Sequence, residues 1–287
     1  MHSKLKVLWI DAVSCNGCSH SFLNYPYLED LFEKIEFIYH PILESEEFKI
    51  TDFDILIVEG ALKDNFLRFD FDLKQLIKVL FNKAKKVIAL GTCAVYGGMF
   101  GEGLMFDKEK EGIFHKCKNK IINISGCPIH YDWLIYVLEM LSQNKNIILD
   151  EENRPVEIYS FTSHSGCNRN EYFEWKIDAK WGEKEGCLFY ESGCQGPFTH
   201  SNCNRNLWNE VNSKPRAGMP CFGCTEKTFP KVGLFETETF MGVPANVPLG
   251  ATKRGYLTLA GIAKSLTNER LEKKLFRYEN EKNNFKN

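Results

Sequence analysis

The sequence contains no run of about 18 consecutive apolar residues, the minimum for a membrane span. It also lacks a pair of arginines near its start and the apolar stretch of about 7–15 residues with a small-residue cleavage site that marks a secretory leader. Met1–Lys6 is polar and meets only a short apolar stretch, Val7–Ile10. Charge of one sign is not in excess either: 36 Lys and Arg stand against 38 Asp and Glu, a net charge of −2. That balance excludes a surface built for nucleic acid or for an anionic membrane. There is no internal repeat and no low-complexity segment. Hydrophobic residues at 44% and aromatics at 13% exclude intrinsic disorder and supply a real core. Taken together, these absences lead us to expect a cytoplasmic protein. An even cysteine count is missing as well. With 11 cysteines, intramolecular disulfides cannot use every thiol, and in a cytosolic chain Cys-x-x-Cys spacing points to metal or redox chemistry.

At roughly 150 residues per domain, 287 residues suggest two domains. In the first half, apolar runs alternate with helical patterns. Val7–Ile10, Ile35–His40, Asp54–Val58, Val87–Leu90 and Ile121–Ile124 read as strands. Between and after them, Leu73, Leu76, Ile77, Leu80 and Phe81, and then Trp133, Leu134, Val137, Leu138 and Leu141, recur at helical spacing. Strands rich in Val and Ile on both faces, separated by helices, imply a parallel sheet covered on each side. Residues 1–150 are therefore expected to form a doubly wound α/β domain. After Asp150–Pro155 the periodicity fades and turn residues dominate. Six cysteines lie in this second half, so residues 151–287 are expected to be organised around metal rather than a large apolar core.

Cys15 and Cys18 follow the first strand, Cys93 the fourth and Cys127 the fifth. The carboxyl ends of strands in an open parallel sheet share one edge, where ligands bind, so these four thiols should converge. Gly17, Gly91 and Gly126 beside them leave room for a bulky inorganic ligand. Four thiolates hold a 4Fe–4S cluster or one zinc ion; zinc usually takes two close Cys pairs, and only one pair is close here, which favours the cluster. His164, Cys167, Cys187 and Cys194 form a second set. Its spacing suits a cluster with one imidazole ligand and a Cys₃His zinc site equally. Cys203, Cys221 and Cys224 form a third, three-thiol set that suits a 3Fe–4S cluster; Lys214 and Pro215 upstream offer no fourth thiolate. Cys117 is left over as a free thiol.

Cys15-Asn16-Gly17-Cys18, Gly91-Thr92-Cys93-Ala94, Gly126-Cys127-Pro128, His164-x-x-Cys167, Gly193-Cys194-x-Gly196-Pro197 and Pro220-Cys221-x-x-Cys224 together resemble the small subunit of nickel–iron hydrogenases. The resemblance runs from Val7 to about Ala263. It implies a flavodoxin-like domain followed by an irregular cluster-binding domain. It implies a proximal 4Fe–4S cluster on Cys15, Cys18, Cys93 and Cys127, and a distal 4Fe–4S cluster on His164, Cys167, Cys187 and Cys194. A medial 3Fe–4S cluster would use Cys203, Cys221 and Cys224. It further implies a nickel–iron large subunit as partner and an unidentified electron acceptor, with electrons from hydrogen passing through the three clusters. The membrane-bound relatives' twin-arginine leader and C-terminal membrane helix are not found here, which suggests a cytoplasmic uptake or hydrogen-sensing type. Gly17 and the Gly97-Gly98 pair stand where oxygen-tolerant members place extra cysteines, which implies an ordinary four-cysteine proximal site.

Two other readings compete. One is a cluster-bearing subunit of an NADH dehydrogenase-like complex, which leaves the six later cysteines and His164 unexplained; the other is a zinc-structured binding protein. His20, His40, His115, His130 and His200 read as hydrogen-bonded surface or structural residues. Gly97–Gly103 reads as a flexible loop rather than a phosphate cradle. Glu59, at the end of the third strand, reads as a helix cap or a solvated group before it reads as a neighbour of the first metal site.

Overall fold

The computed structural model describes residues 4–43, 48–49, 51–104, 114–231, 233–240, 243–268 and 273. Two compact units result: Met1–Tyr159 with Cys224–Phe229, and Ser160–Gly223 with Pro230–Asn287.

The first unit opens with β1 (Leu5–Asp11), followed by α1 (Gly17–Leu23), α2 (Leu28–Lys34), β2 (Ile35–Tyr39) and β3 (Ile55–Glu59). A short antiparallel ribbon, β4 (Leu67–Arg68) with β5 (Phe71–Asp72), leads into α3 (Leu73–Lys83). The unit continues with β6 (Lys86–Leu90), α4 (Gly91–Tyr96), β7 (Ile121–Ile124), α5 (Tyr131–Ser142) and α6 (Val156–Tyr159). The sheet order is β2-β1-β3-β6-β7, every pair parallel. Counting sheet strands alone, the order is 2-1-3-4-5, the flavodoxin-like doubly wound arrangement, whose switch point lies between the first and third strands. All five residues of β3 are buried, because helices cover both faces of the sheet. α3 buries Leu73, Leu76, Ile77, Leu80 and Phe81. Its first turn is capped by the Asp72 carboxylate, which accepts from the Gln75 amide at 3.0 Å.

The second unit has little regular structure: α7 (Asn170–Trp175), α8 (Phe189–Ser192), the two-residue strands β8 (Thr239–Phe240) and β9 (Val243–Pro244), and α9 (Lys253–Ser265). Its buried apolar cluster comprises Tyr172, Phe173, Cys187 and Phe189, with partly buried aromatics against them. Among the described residues no helix is long and apolar enough to cross a membrane.

Gly97–Gly103 differs from the flexible loop expected of its composition. Leu62 and Glu102 exchange two backbone hydrogen bonds of 2.8 Å each, which pin the loop to the segment after β3.

Candidate metal centres

The carboxyl ends of β1, β3, β6 and β7 bring Cys15, Cys18, Cys93 and Cys127 around one cavity, together with Glu59, Gly91 and Gly126. Two glycines make this approach possible. Gly91 has φ +84°, and a Cβ there would stand 2.7 Å from Cys18 Sγ; Gly98 has φ +53°, and its Cβ would stand 2.8 Å from Cys93 Sγ. Any side chain at either position would be strained and would push a sulfur away from the cavity.

Glu59 is buried and accepts hydrogen bonds from Trp9 Nε1 (3.2 Å), Ser14 Oγ (3.2 Å), the Cys18 amide (3.1 Å) and Ser19 Oγ (2.5 Å). It is therefore not solvated, and it caps the first turn of α1 from the end of β3 through the Cys18 amide. Its side chain fixes the start of α1, and with it Cys18, against β3. Thr92, beside Cys93, accepts from the Gly126 amide at 2.9 Å and donates to the Cys224 carbonyl. The Ser125 hydroxyl donates to the Thr225 carbonyl at 2.8 Å. Those two bonds hold Cys224–Phe229 on the first unit. Burial, then the nearby Glu59, pushes the Cys18 thiol well up, and burial, then Cys15, raises Cys93. Metal binding at such thiols must displace their protons.

In the second unit His164, Cys167, Cys187 and Cys194 line one cavity, which Cys221 and Arg169 also border. His164 sits in a 3₁₀ turn, Ser163–Gly166, capped by the Thr162 side chain accepting from the Ser165 amide. Its ring meets Phe173 edge-on at 4.4 Å. Burial, then Lys176, pulls the imidazole down to about 4, leaving it neutral at physiological pH, the form that ligates metals. Burial raises Cys167 to about 11 and raises Cys187 and Cys194 as well. Backbone amides point at these sulfurs: Arg169 N to Cys167 Sγ and Phe189 N to Cys187 Sγ at 3.4 Å, and Cys221 N to Cys194 Sγ at 3.3 Å.

Arg169, which the spacing arguments passed over, is 2% exposed. It donates to the carbonyls of Pro215 (2.7 Å), Gly186 (2.7 Å) and Glu183, so a fixed cation stands beside the thiols. Its place two residues after Cys167 was the only local signal.

The three-cysteine set is distributed differently: Cys203 and Cys221 belong to the second unit and Cys224 to the first. Lys214 lies over the Phe222 ring at 5.3 Å. Cys117 is exposed. His40 and His130 are fully buried, and each Nδ1 accepts a backbone N–H, from Ile42 and Leu43 in one case and from Asp132 in the other. The side chain of His115 lies outside the described residues.

The donor chemistry fits iron–sulfur clusters. Four thiols line the first cavity, and three thiols with one neutral imidazole line the second; glycines at the first leave space for inorganic sulfide. Among the described residues no group of three or more His, Cys, Asp or Glu is placed to hold a single metal ion.

Residues 15–141 match the family described as "NADH ubiquinone oxidoreductase, 20 Kd subunit", and residues 159–236 match the family that describes the C-terminal part of NiFe/NiFeSe hydrogenase small subunits. The periplasmic [NiFe] hydrogenase small subunit of Solidesulfovibrio fructosivorans is 30% identical over 253 residues, covering 78% of each chain. Small subunit 1 of the periplasmic enzyme of Nitratidesulfovibrio vulgaris is 31% identical over 256 residues, again covering 78% of each. The solved [NiFeSe] hydrogenase of Desulfovibrio vulgaris Hildenborough superposes with a TM-score of 0.68 at 24% identity, over 82% of this chain and 98% of that one, and shares the fold. These relatives correct one expectation: the two small subunits are named periplasmic, so the cytoplasmic assignment does not stand. That expectation rested on the leader and membrane span not found in the sequence, and the reading of the cysteines as metal ligands does not need it. A thiolate bonded to iron is withdrawn from disulfide exchange, so the same ligand set serves in an oxidising space.

Proposed function

The chain belongs to the small subunits of nickel–iron hydrogenases, and on that premise we propose that it is the electron-transfer subunit of a heteromeric hydrogenase, paired with a large subunit that carries the nickel–iron centre. Cys15, Cys18, Cys93 and Cys127 hold one 4Fe–4S cluster, His164, Cys167, Cys187 and Cys194 a second, and Cys203, Cys221 and Cys224 a 3Fe–4S cluster. When bound, such clusters exchange single electrons and so link hydrogen oxidation in the partner to an acceptor.

What this chain's own residues do follows from their placement. The observation that carries the reading is the convergence of four thiols, from the ends of three different strands, on one cavity. Glu59 fixes Cys18 through its amide and is itself held by Trp9, Ser14 and Ser19. His164 supplies a neutral ligand where a thiolate would be anionic, and Arg169 adds a buried positive charge beside the same cavity. Both make the group held there easier to reduce than an all-thiolate site without the cation. Leu188 and Phe189, both buried, line the His164 cavity and Phe173 packs on the His164 ring, an apolar setting in which those charges act at low dielectric.

The match over residues 15–141 alone would suit an NADH dehydrogenase-like subunit; the match over 159–236, which contains the His164 set, favours the hydrogenase. Purification of the tagged chain from its host tests the proposal. A nickel-containing partner should come with it, the preparation should reduce a viologen dye in the presence of hydrogen, and iron should approach about 11 atoms per chain. Zinc in place of iron, or a chain that brings down no nickel protein, overturns the reading.

A further inference from the structure

Cys203 is contacted by hydroxyl groups, whereas the sulfurs of the His164 set accept backbone amides. Around the bridge between Thr162 and His200 two extended segments run antiparallel. The Ser163 amide donates to the Thr199 carbonyl at 2.7 Å, and the Ser201 amide to the Phe161 carbonyl at 2.8 Å. Ser163, the first residue of the 3₁₀ turn Ser163–Gly166, and Ser201, one residue past the bridge, both bring their hydroxyls to Cys203. Each is 1% exposed. Ser201 Oγ lies 3.3 Å from Cys203 Sγ, and Ser163 Oγ lies 3.7 Å from it.

Asn204, itself buried, settles where the Ser163 proton goes. Its Nδ2 donates to the Ser163 carbonyl at 2.7 Å and to Ser163 Oγ at 3.0 Å. A hydroxyl has one proton and two acceptor lone pairs; with the amide group of Asn204 on the oxygen, the proton is left for the sulfur. A free thiol could itself donate in these pairs, but a thiolate bonded to iron has no proton. Once Cys203 is a ligand, both hydroxyls donate to its sulfur.

We propose that Ser201, together with Ser163 oriented by Asn204, raises the reduction potential of the iron–sulfur group bound through Cys203. The inference rests on the reading of Cys203 as a cluster ligand. Hydrogen bonds to a ligating sulfur withdraw electron density and stabilise the reduced, more negative form. Burial strengthens the effect, because no water competes for the sulfur or screens the dipoles. Both serines are positioning residues that touch the ligand, not the iron. Unlike the amides on Cys167, Cys187 and Cys194, these donors are removable by substitution.

The test is a redox titration of the intact heteromeric enzyme followed by electron paramagnetic resonance, which separates the 3Fe–4S signal of the oxidised state from the signals of the 4Fe–4S clusters. Ser201→Ala should shift the one-electron equilibrium of that cluster about tenfold toward the oxidised form, about 59 mV, and leave the other two potentials in place. Ser201→Thr, which keeps the hydroxyl, should restore it. Ser163→Ala, at the longer distance, should shift it in the same direction by less, and supplies the measurement if Ser201→Ala does not assemble. Iron and sulfide contents equal to wild type establish that assembly is intact. An unmoved potential in both alanine variants overturns the proposal, as does a common shift of all three clusters. A wild-type enzyme without any 3Fe–4S signal overturns the ligand assignment beneath it, whatever the variants do.

Discussion

His40 shows how one side chain acquires a role from its surroundings. Its ring packs 4.5 Å from Trp9 and 5.4 Å from Phe37, centroid to centroid, and its Nδ1 accepts from two backbone amides. Burial pulls it from 6.5 down to about 4. The unfolded chain therefore takes a proton near 6.5, and the folded chain only near 4. The stabilisation is fully present above the unfolded value and is lost as pH falls toward the folded one, up to about 3 kcal/mol. Urea unfolding at about pH 7.5 and about pH 5 should show this loss in the wild type and a smaller one in His40→Asn. Parallel losses in the two proteins would remove His40 from the account. Glu59 and Arg169 are the counterpart cases. The candidate ligands were legible because thiols and imidazoles are rare and their spacing is local. Glu59 was not, because its importance comes from Trp9, Ser14, Cys18 and Ser19, which lie 40 to 50 residues away in sequence.

Periodicity decided which elements could be read in advance. α3 presents Leu73, Leu76, Ile77, Leu80 and Phe81 to the core, and this i, i+3, i+4 pattern is unambiguous over three turns. Leu80 is fully buried and its neighbour Val79 is 49% exposed. Leu80→Ala should cost about 2–5 kcal/mol, and Val79→Ala should stay within about 0.5 kcal/mol, as read from urea unfolding midpoints. Equal costs would mean that the helix does not present this face to the sheet. The sheet strands were legible for the same reason, since runs of Val and Ile buried on both faces have few other readings. α1 and α4 were not. Each spans at most seven residues and begins beside a cysteine at a strand end, so helical periodicity never accumulates; the chain turns there because Asn16, at φ 58°, and Gly91, at φ 84°, adopt left-handed backbone.

At the scale of the whole molecule the two units rest on different foundations. The first has a continuous core that runs from Leu8 and Ile10 through Leu56 and Val58 to Val87 and Ala89, with α3 against it. Among the described residues the second has four buried residues in its apolar cluster, one of them the proposed ligand Cys187. Ligands that bind only the folded state contribute their binding free energy to folding. Removing iron and sulfide with chelator under reducing conditions should therefore leave amides of β1, β3 and β6 protected from hydrogen exchange while those of α7 and α8 exchange freely. Full protection in both units after metal removal would show that the second unit does not depend on its metal.

The sequence alone determined the alternation of strand and helix, the family, and the set of thiols and imidazole that can bind iron. Each of these is written in local pattern: side-chain period, short spacings and residue types with few alternative uses. Only the tertiary structure decided that Cys224–Phe229 returns to the first unit, that Glu59 and Arg169 are buried beside the thiols, and that two serine hydroxyls meet Cys203. Those facts depend on contacts between residues far apart in the chain, and burial, which turns an ordinary polar side chain into a strong local influence, exists only after the chain has folded.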